Sequence, residues 1–361
     1  MGGHVSTHVP EKTGDVRAED SFDVVAVDRW LHEREPRLSG PPQVHQFAGG
    51  ASNLTYLLRY PERDLVLRRP PAGVKAHGAH DMAREYRVQA ALAPVYPYVP
   101  AVVALCRDPA VLGSDFYVME RVAGTILRAT IPPDLGLPAA ARPRLCHAVI
   151  DALVDLHAVD PASAGLSDLG PGRGYVGRQV EGWSARFRAA RTLNVPRFER
   201  VMAWLAEHQP QDVATVIVHN DFRLDNVVLA PEDPQRIVGI LDWEMATLGD
   251  PLMDLGNSLA YWVQADDDRF MRALRRQPTD QPGMLTRAQV VEYYQRRSGY
   301  GASDVTFYEV FGLFRLAVII QQIYRRFRLR QTTNPAFRHY WLAVGYLDWR
   351  CRRIIRTRAG A

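Results

Sequence analysis

The stretch Val216–Trp243 (VIVHNDFRLDNVVLAPEDPQRIVGILDW) constrains this chain more than any other. Two apolar, strand-like runs each deliver acidic or amide side chains at their ends. The first gives His219, Asp221, Asp225 and Asn226, and the second gives Asp242. The spacing H-x-D-x-x-x-x-N, followed sixteen residues later by an aspartate that closes an apolar strand, suits phosphoryl transfer. That chemistry needs a base to orient and deprotonate a hydroxyl, and two oxygen ligands to hold Mg²⁺ on ATP.

The rest of the sequence bounds this reading. At 361 residues the chain has room for two lobes and an ample core. A hydrophobic content of 47% and a charged content of 23% place it among soluble globular proteins. Its net charge of +4 is too mild to suggest nucleic acid as a principal partner. Only Lys12 and Lys75 among the 44 basic residues are lysines, which restricts any mechanism that requires a catalytic lysine. Cys106, Cys146 and Cys351 lie far apart with no C-x-x-C pair, so neither a disulfide framework nor a zinc site is expected, and a reducing cytoplasmic location fits. The N-terminal segment lacks the apolar core of a secretory signal. Leu313–Ile323 comes closest to a membrane-length apolar run but contains Arg315, Gln321 and Gln322, so no membrane span is expected.

Taken in order, residues 1–20 read as a disordered tail and Phe22–Glu33 as a short helix with Asp23 as its cap. Strands are expected over Val44–Phe47, Leu54–Arg59 and Leu65–Arg68. The Gly49–Asn53 turn between the first two can present backbone N–H groups to phosphate. A helix over His80–Leu92 carries Glu85, and strands over Ala101–Cys106 and Phe116–Val122 follow. Beyond about Ala123 the periodicity becomes helical: Arg142–Ala158, two stretches within Trp183–Glu207, Asp254–Val263, Arg287–Arg297, Asp304–Arg328 and Pro335–Arg356. Gly249-Asp250-Pro251 reads as a break. The expected architecture is α+β and bilobal. A small antiparallel sheet with one helix occupies 21–122, and a larger, mainly helical lobe occupies 123–361.

This arrangement resembles the protein-kinase-like superfamily, and within it the aminoglycoside phosphotransferase family. The resemblance covers roughly residues 40–330. It rests on the Gly49–Thr55 turn, a basic residue ending the third strand, Glu85, Phe116–Val122, HNDFRLDN, and LDWE followed by GDPLMDL, all in order. LVLRRPP, REYR, FYVME and LDWEMATLGDPLMDLG look most like the kinase-like domains fused to some acyl-CoA dehydrogenases. The resemblance implies Asp221 as catalytic base, and Asn226 and Asp242 as Mg²⁺ ligands. It places Ser52 and Asn53 over the phosphates of ATP, and makes Met119–Val122 a hinge at which Glu120 and Val122 meet the adenine. His219 and Asp254 would brace the loop, and Asp225 would either contact substrate or hold the loop.

Two departures accompany the resemblance. The family's usual HGD is HND here, as in choline-kinase-like relatives. The lysine expected on the third strand is replaced by Arg68, seventeen residues before Glu85, while Lys75 lies beyond two prolines. Arg68 can pair with Glu85 through its fork, though it is bulkier than lysine. Arg69, by strand alternation, points to the opposite face. Arg68→Ala is therefore expected to weaken Mg-ATP binding and Arg69→Ala to leave it intact.

An active small-molecule O-phosphotransferase is the leading reading. A nucleotide-binding pseudoenzyme or interaction module is the alternative, and a metal-dependent hydrolase leaves the turn and Arg68–Glu85 unexplained. Arg325–Arg330 reads as a solvated helix end, the aromatics of 293–311 as core, and His147 and His157 as packed side chains. Arg315–Arg356 contains one Asp and no Glu, which argues against a polycationic aminoglycoside and towards a neutral or anionic hydroxylated acceptor such as a hydroxyacyl-CoA. The sequence carries no signal of oligomeric state.

Overall fold

The computed structural model describes residues 13–47, 53–71, 80–332 and 334–359. Its N-terminal part is a six-stranded antiparallel sheet. In chain order the strands are β1 (Thr13–Gly14), β2 (Gln43–Phe47), β3 (Leu54–Arg59), β4 (Asp64–Arg69), β5 (Val102–Cys106) and β6 (Phe116–Glu120). They lie in the order β1-β2-β3-β4-β6-β5. Alternation along β4 assigns its two faces. Leu65 and Leu67 pack with Val27, Trp30 and Leu31 of α1 (Val24–His32), whereas Val66 packs with Met82 of α2 (Met82–Leu92) and with Tyr117 and Met119. Both helices begin at aspartate caps: Asp23 accepts from the Ala26 N–H at 3.0 Å, and Asp81 from the Arg84 N–H at 2.9 Å.

The expected disordered tail includes residues 13–20, but Thr13–Gly14 join the sheet and Ala18–Asp20 form a short 3-10 turn beside it. Thr13 and Gly14 pair with Phe47 and Gln46, and Gln46 caps the segment by bonding Arg17 N–H and Asp20. A polar composition hid these long-range bonds. The last strand stops at Glu120, so Arg121 and Val122 form the connection out of the sheet.

After a single turn, α3 (Pro109–Leu112), and β6, the chain enters its helical part through β7 (Thr125–Ile126). Helices α4 (Arg142–Ala158), α5 (Tyr175–Ala190) and α6 (Glu199–Glu207) precede the motif stretch. There β8 (Val216–Val218), β9 (Val227–Leu229), β10 (Ile237–Ile240) and β11 (Thr247–Gly249) form two small ladders, β7-β9-β10 and β8-β11. The ladders fix the ends of the acidic loops: His219–Asn226 links β8 to β9, and Asp242 follows β10. Helices α7 (Pro251–Tyr261), α8 (Arg269–Ala273), α9 (Arg287–Ser298), α10 (Thr306–Arg328) and α11 (Tyr340–Ala359) complete the fold.

Gly249-Asp250-Pro251, read as a break, is a helix start. Asp250 caps α7 by accepting from Met253 N–H at 2.9 Å, and Pro251 occupies a first-turn position whose N–H would have no partner. Helix α10 has the length and hydropathy to cross a membrane but is largely buried, packed on α5, α7 and α11. Its crossing with α7 depends on two glycines: a Cβ on Gly312 would lie 2.2 Å from the Gly256 carbonyl oxygen. That close approach brings Asp254 and Arg315 to the same loop.

Candidate active site

Arg68 and Glu85 meet on the α2 face of the sheet. Arg68 Nη1 lies 3.3 Å from Glu85 Oε1, and its Nη2 reaches across to Asp242 Oδ1 at 3.0 Å and Glu244 Oε2 at 3.7 Å. Burial pushes the Glu85 carboxyl up and the Arg68 charge opposes it. Burial also works against Arg68, but Glu85 and its neighbours outweigh it and hold its pKa above the ordinary value. Arginine does not give up its proton in proteins, so a guanidinium faces the Glu85 carboxyl group. Arg69 points the other way, donating to Tyr56 Oη at 3.0 Å and to the Asp20 carbonyl at 2.6 Å.

Asn53 sits at the start of β3, donating to Glu244 Oε2 at 2.9 Å and facing His80 Nδ1 at 3.0 Å. Ser52 and the rest of the Gly-rich turn, like Lys75, lie outside the described residues. At the expected hinge, Glu120 pairs with Leu65, donates its N–H to Ala101 O at 2.7 Å, and holds Arg63 Nη1 at 2.7 Å through its side chain. Val122 packs on Gly239, where a Cβ would lie 2.8 Å from Val122 Cγ1.

The catalytic-type loop is tied down from three sides. Asp254 accepts the N–H groups of His219 and Asn220, both at 2.7 Å, and His157 Nε2 lies 3.2 Å from its Oδ2. Burial alone would raise the Asp254 carboxyl, but the bond to His157 and the flanking His219 bring it below its usual value. The His219 ring bridges the two motifs: its Nδ1 accepts from Asp221 N–H at 3.2 Å and its Nε2–H donates to Leu241 O at 3.1 Å. Burial depresses the His219 pKa, so the ring stays neutral with its proton on Nε2. Arg315 closes the third side by donating to Asn220 O at 2.7 Å.

Asn220 has φ 64, in the left-handed region where glycine is favoured and asparagine is tolerated. HND can therefore replace HGD without changing the turn. The asparagine side chain adds bonds, accepting from Tyr175 Oη at 2.8 Å and Asn257 Nδ2 at 3.2 Å, and donating to Met245 O at 3.2 Å.

Asp221 is nearly buried. Asn226 Nδ2 donates to its Oδ2 at 3.1 Å and to its carbonyl at 2.9 Å. Arg223 Nε lies 3.1 Å from Asp221 Oδ1 and 3.4 Å from Asp225 Oδ1, with its guanidinium 4.6 Å from the Tyr261 ring centroid. Burial raises the Asp221 pKa to about 6, against the pull of Arg223. Asp242 also adopts a left-handed conformation (φ 70), and its side chain is 32% exposed. The preceding Leu241 donates its N–H to Asn226 O at 2.8 Å, which locks Asp242 to the loop. Asp225 is buried against Arg223, and its carbonyl accepts from Arg128 at 3.1 Å.

Sequence reasoning gave no role to Glu244, although it stands two residues beyond Asp242 within the quoted LDWE. It likewise read His157 as packing alone, whereas the ring reaches Asp254. Arg84 is a third omission: it donates to Ala246 O and, at 3.3 Å, to Glu244 O, joining α2 to the segment after Asp242. Charge at i+2 from a motif aspartate could have flagged Glu244; the other two depend on contacts between distant segments.

An antiparallel sheet carrying a buried cation–glutamate pair, facing a helical lobe with the H-x-D loop, defines a protein-kinase-like phosphotransferase fold. The sequence pattern of the phosphotransferase enzyme family (APH) matches residues 43–289, and the chain belongs to that family. It is 37% identical over 290 residues to acyl-CoA dehydrogenase family member 10 of Mus musculus, covering 80% of this chain but only 27% of that protein. An aminoglycoside-phosphotransferase-like protein of Ralstonia eutropha superposes with a TM-score of 0.78 at 31% identity, covering 93% of this chain and 99% of that one. The aminoglycoside phosphotransferase APH(4)-Ia, solved as a ternary complex with AMP-PNP and hygromycin B, shares the fold with a TM-score of 0.56 at 17% identity, over 93% and 99% of the two chains.

Proposed function

We propose that the protein is an ATP- and Mg²⁺-dependent O-phosphotransferase that moves the γ-phosphate of ATP to a hydroxyl of a small molecule. The observation that carries this reading is the side-chain cluster in which Asp221, Asn226 and Asp242 are joined through Leu241 and His219, with Arg68 arriving from the opposite lobe. Asp221 takes the proton of the acceptor hydroxyl, whose oxygen bonds to the γ-phosphorus as the bond to the bridging oxygen of ADP breaks. Arg68, held by Glu85, binds the phosphates, with Ser52 and Asn53 above them and the Glu120–Val122 hinge against the adenine. Asn226 and Asp242 supply two hard oxygen donors, the number Mg²⁺ draws from protein when phosphates and water complete its shell. When bound, the ion neutralises the charge of the phosphates.

The arginine-rich stretch Arg315–Arg356, with one Asp and no Glu, supports a neutral or anionic acceptor, with a hydroxyacyl-CoA-like molecule first among candidates. Three free, buried thiols accord with a reducing cytoplasm. The test is ADP release from Mg-ATP with hydroxyacyl-CoA thioesters, aminoglycosides and choline-like alcohols. Turnover is expected with the first class and should fall about 10²- to 10⁴-fold in Asp221→Asn. Mg-ATP binding without turnover in any class would favour the nucleotide-binding module, and no binding would overturn the proposal.

A further inference from the structure

The arginine that replaces the family lysine does more in this fold than hold Glu85. Its guanidinium stands among three carboxyl groups, Glu85, Asp242 and Glu244. One arm faces Glu85 at 3.3 Å, and the other reaches Asp242 of the second lobe at 3.0 Å. An arginine fork sets its two terminal nitrogens on separate partners, which the single nitrogen of a lysine cannot do. Glu85 is sealed, at 1% exposure, whereas Asp242 is 32% exposed. The outer contact is thus the one that solvent and ions can reach.

We propose that Arg68 is the resident counter-ion of Asp242: its outer arm holds Asp242 and Glu244 until a divalent metal replaces it, while its inner arm stays on Glu85. The inference rests on the reading that Asp242 binds the metal. A dication on Asp242 takes over the charge that the outer arm supplied, so exchange releases that arm to the nucleotide phosphates without leaving a bare carboxylate behind. Binding of metal-nucleotide and retention of the Arg68–Asp242 bridge are then mutually exclusive. The metal's apparent affinity is reduced by the fraction of molecules in which the bridge is closed.

Mn²⁺ binding in the absence of nucleotide, titrated by electron paramagnetic resonance, tests this directly. Arg68→Lys keeps a charge for Glu85 but loses the second arm, and Arg68→Gln loses both. Mn²⁺ affinity should rise about tenfold in the first and further in the second, while affinity for metal-free ADP falls. Folded variants that bind Mn²⁺ no tighter than the wild type would overturn the proposal. The wild type gives an independent reading if the variants fail to fold. In its complex with Mg-ADP, the Arg68–Asp242 distance should open beyond about 4 Å while Arg68–Glu85 persists. A bridge that stays closed with metal bound would also overturn it. Wild-type protein that binds no Mg-ADP would instead sink the kinase reading itself.

Discussion

Asp254 and Arg68 are both buried charges beside the same loop, yet their surroundings differ. Both oxygens of Asp254 are occupied within one lobe by two backbone N–H groups and His157, whose other nitrogen meets Tyr294 Oη at 2.7 Å. Every partner is itself fixed by β8, α4 or α9. Arg68 instead spans two lobes, shares its fork among three carboxyl groups, and leaves Nε without a hydrogen bond among the described residues. A saturated cluster has one low-energy arrangement, whereas an unsaturated one between lobes can exchange partners. The contrast separates a brace from a moving part, and it can be broken by experiment.

The largest expected effect is on the brace. Asp254→Ala leaves two backbone donors and His157 facing a void, and should cost about 3–5 kcal/mol of unfolding free energy in urea. A loss below about 1 kcal/mol would mean that Asp254 does not hold the loop.

A smaller effect concerns the proton inventory between the two clusters. In the proposed reaction Asp221 serves as a base only when ionised, and burial has raised its pKa to about 6. The rate should therefore be level above pH 6 and fall about tenfold per unit below it. Arg223 opposes that rise, so Arg223→Gln should move the midpoint to higher pH in a plot of kcat against pH. A midpoint that stays fixed or moves down would remove Arg223 from contact with the base.

The smallest effect should come from Asn220→Gly. Glycine accepts φ 64 more readily but forfeits the bonds to Tyr175, Asn257 and Met245. These terms oppose each other, leaving about 1 kcal/mol or less in thermal or urea unfolding and little change in turnover. A loss comparable to that of Asp254→Ala would show the asparagine side chain to be part of the brace.

Much of this could be read in one dimension. Alternation along LVLRR separated Arg68 from Arg69, and the structure puts them on opposite faces. The helices of the second lobe announced themselves by apolar spacing, and the family by the order of polar residues in the motif stretch. Local readings failed where a residue had a second use: Asp250-Pro251 serves as a cap and first turn, and residues 13–20 gain order from bonds to β2 and β4.

The sequence by itself determined which residues alternate, which carry charge and how far apart the motif groups lie, because those properties are local and set by backbone periodicity. Only the tertiary structure decided that Glu244 meets Asn53 and Arg68, that His157 supports Asp254, and that two glycines let α7 and α10 touch. Those contacts join segments tens to nearly two hundred residues apart. Their geometry comes from packing the whole chain, since no local preference specifies which distant carboxylate a buried arginine will find.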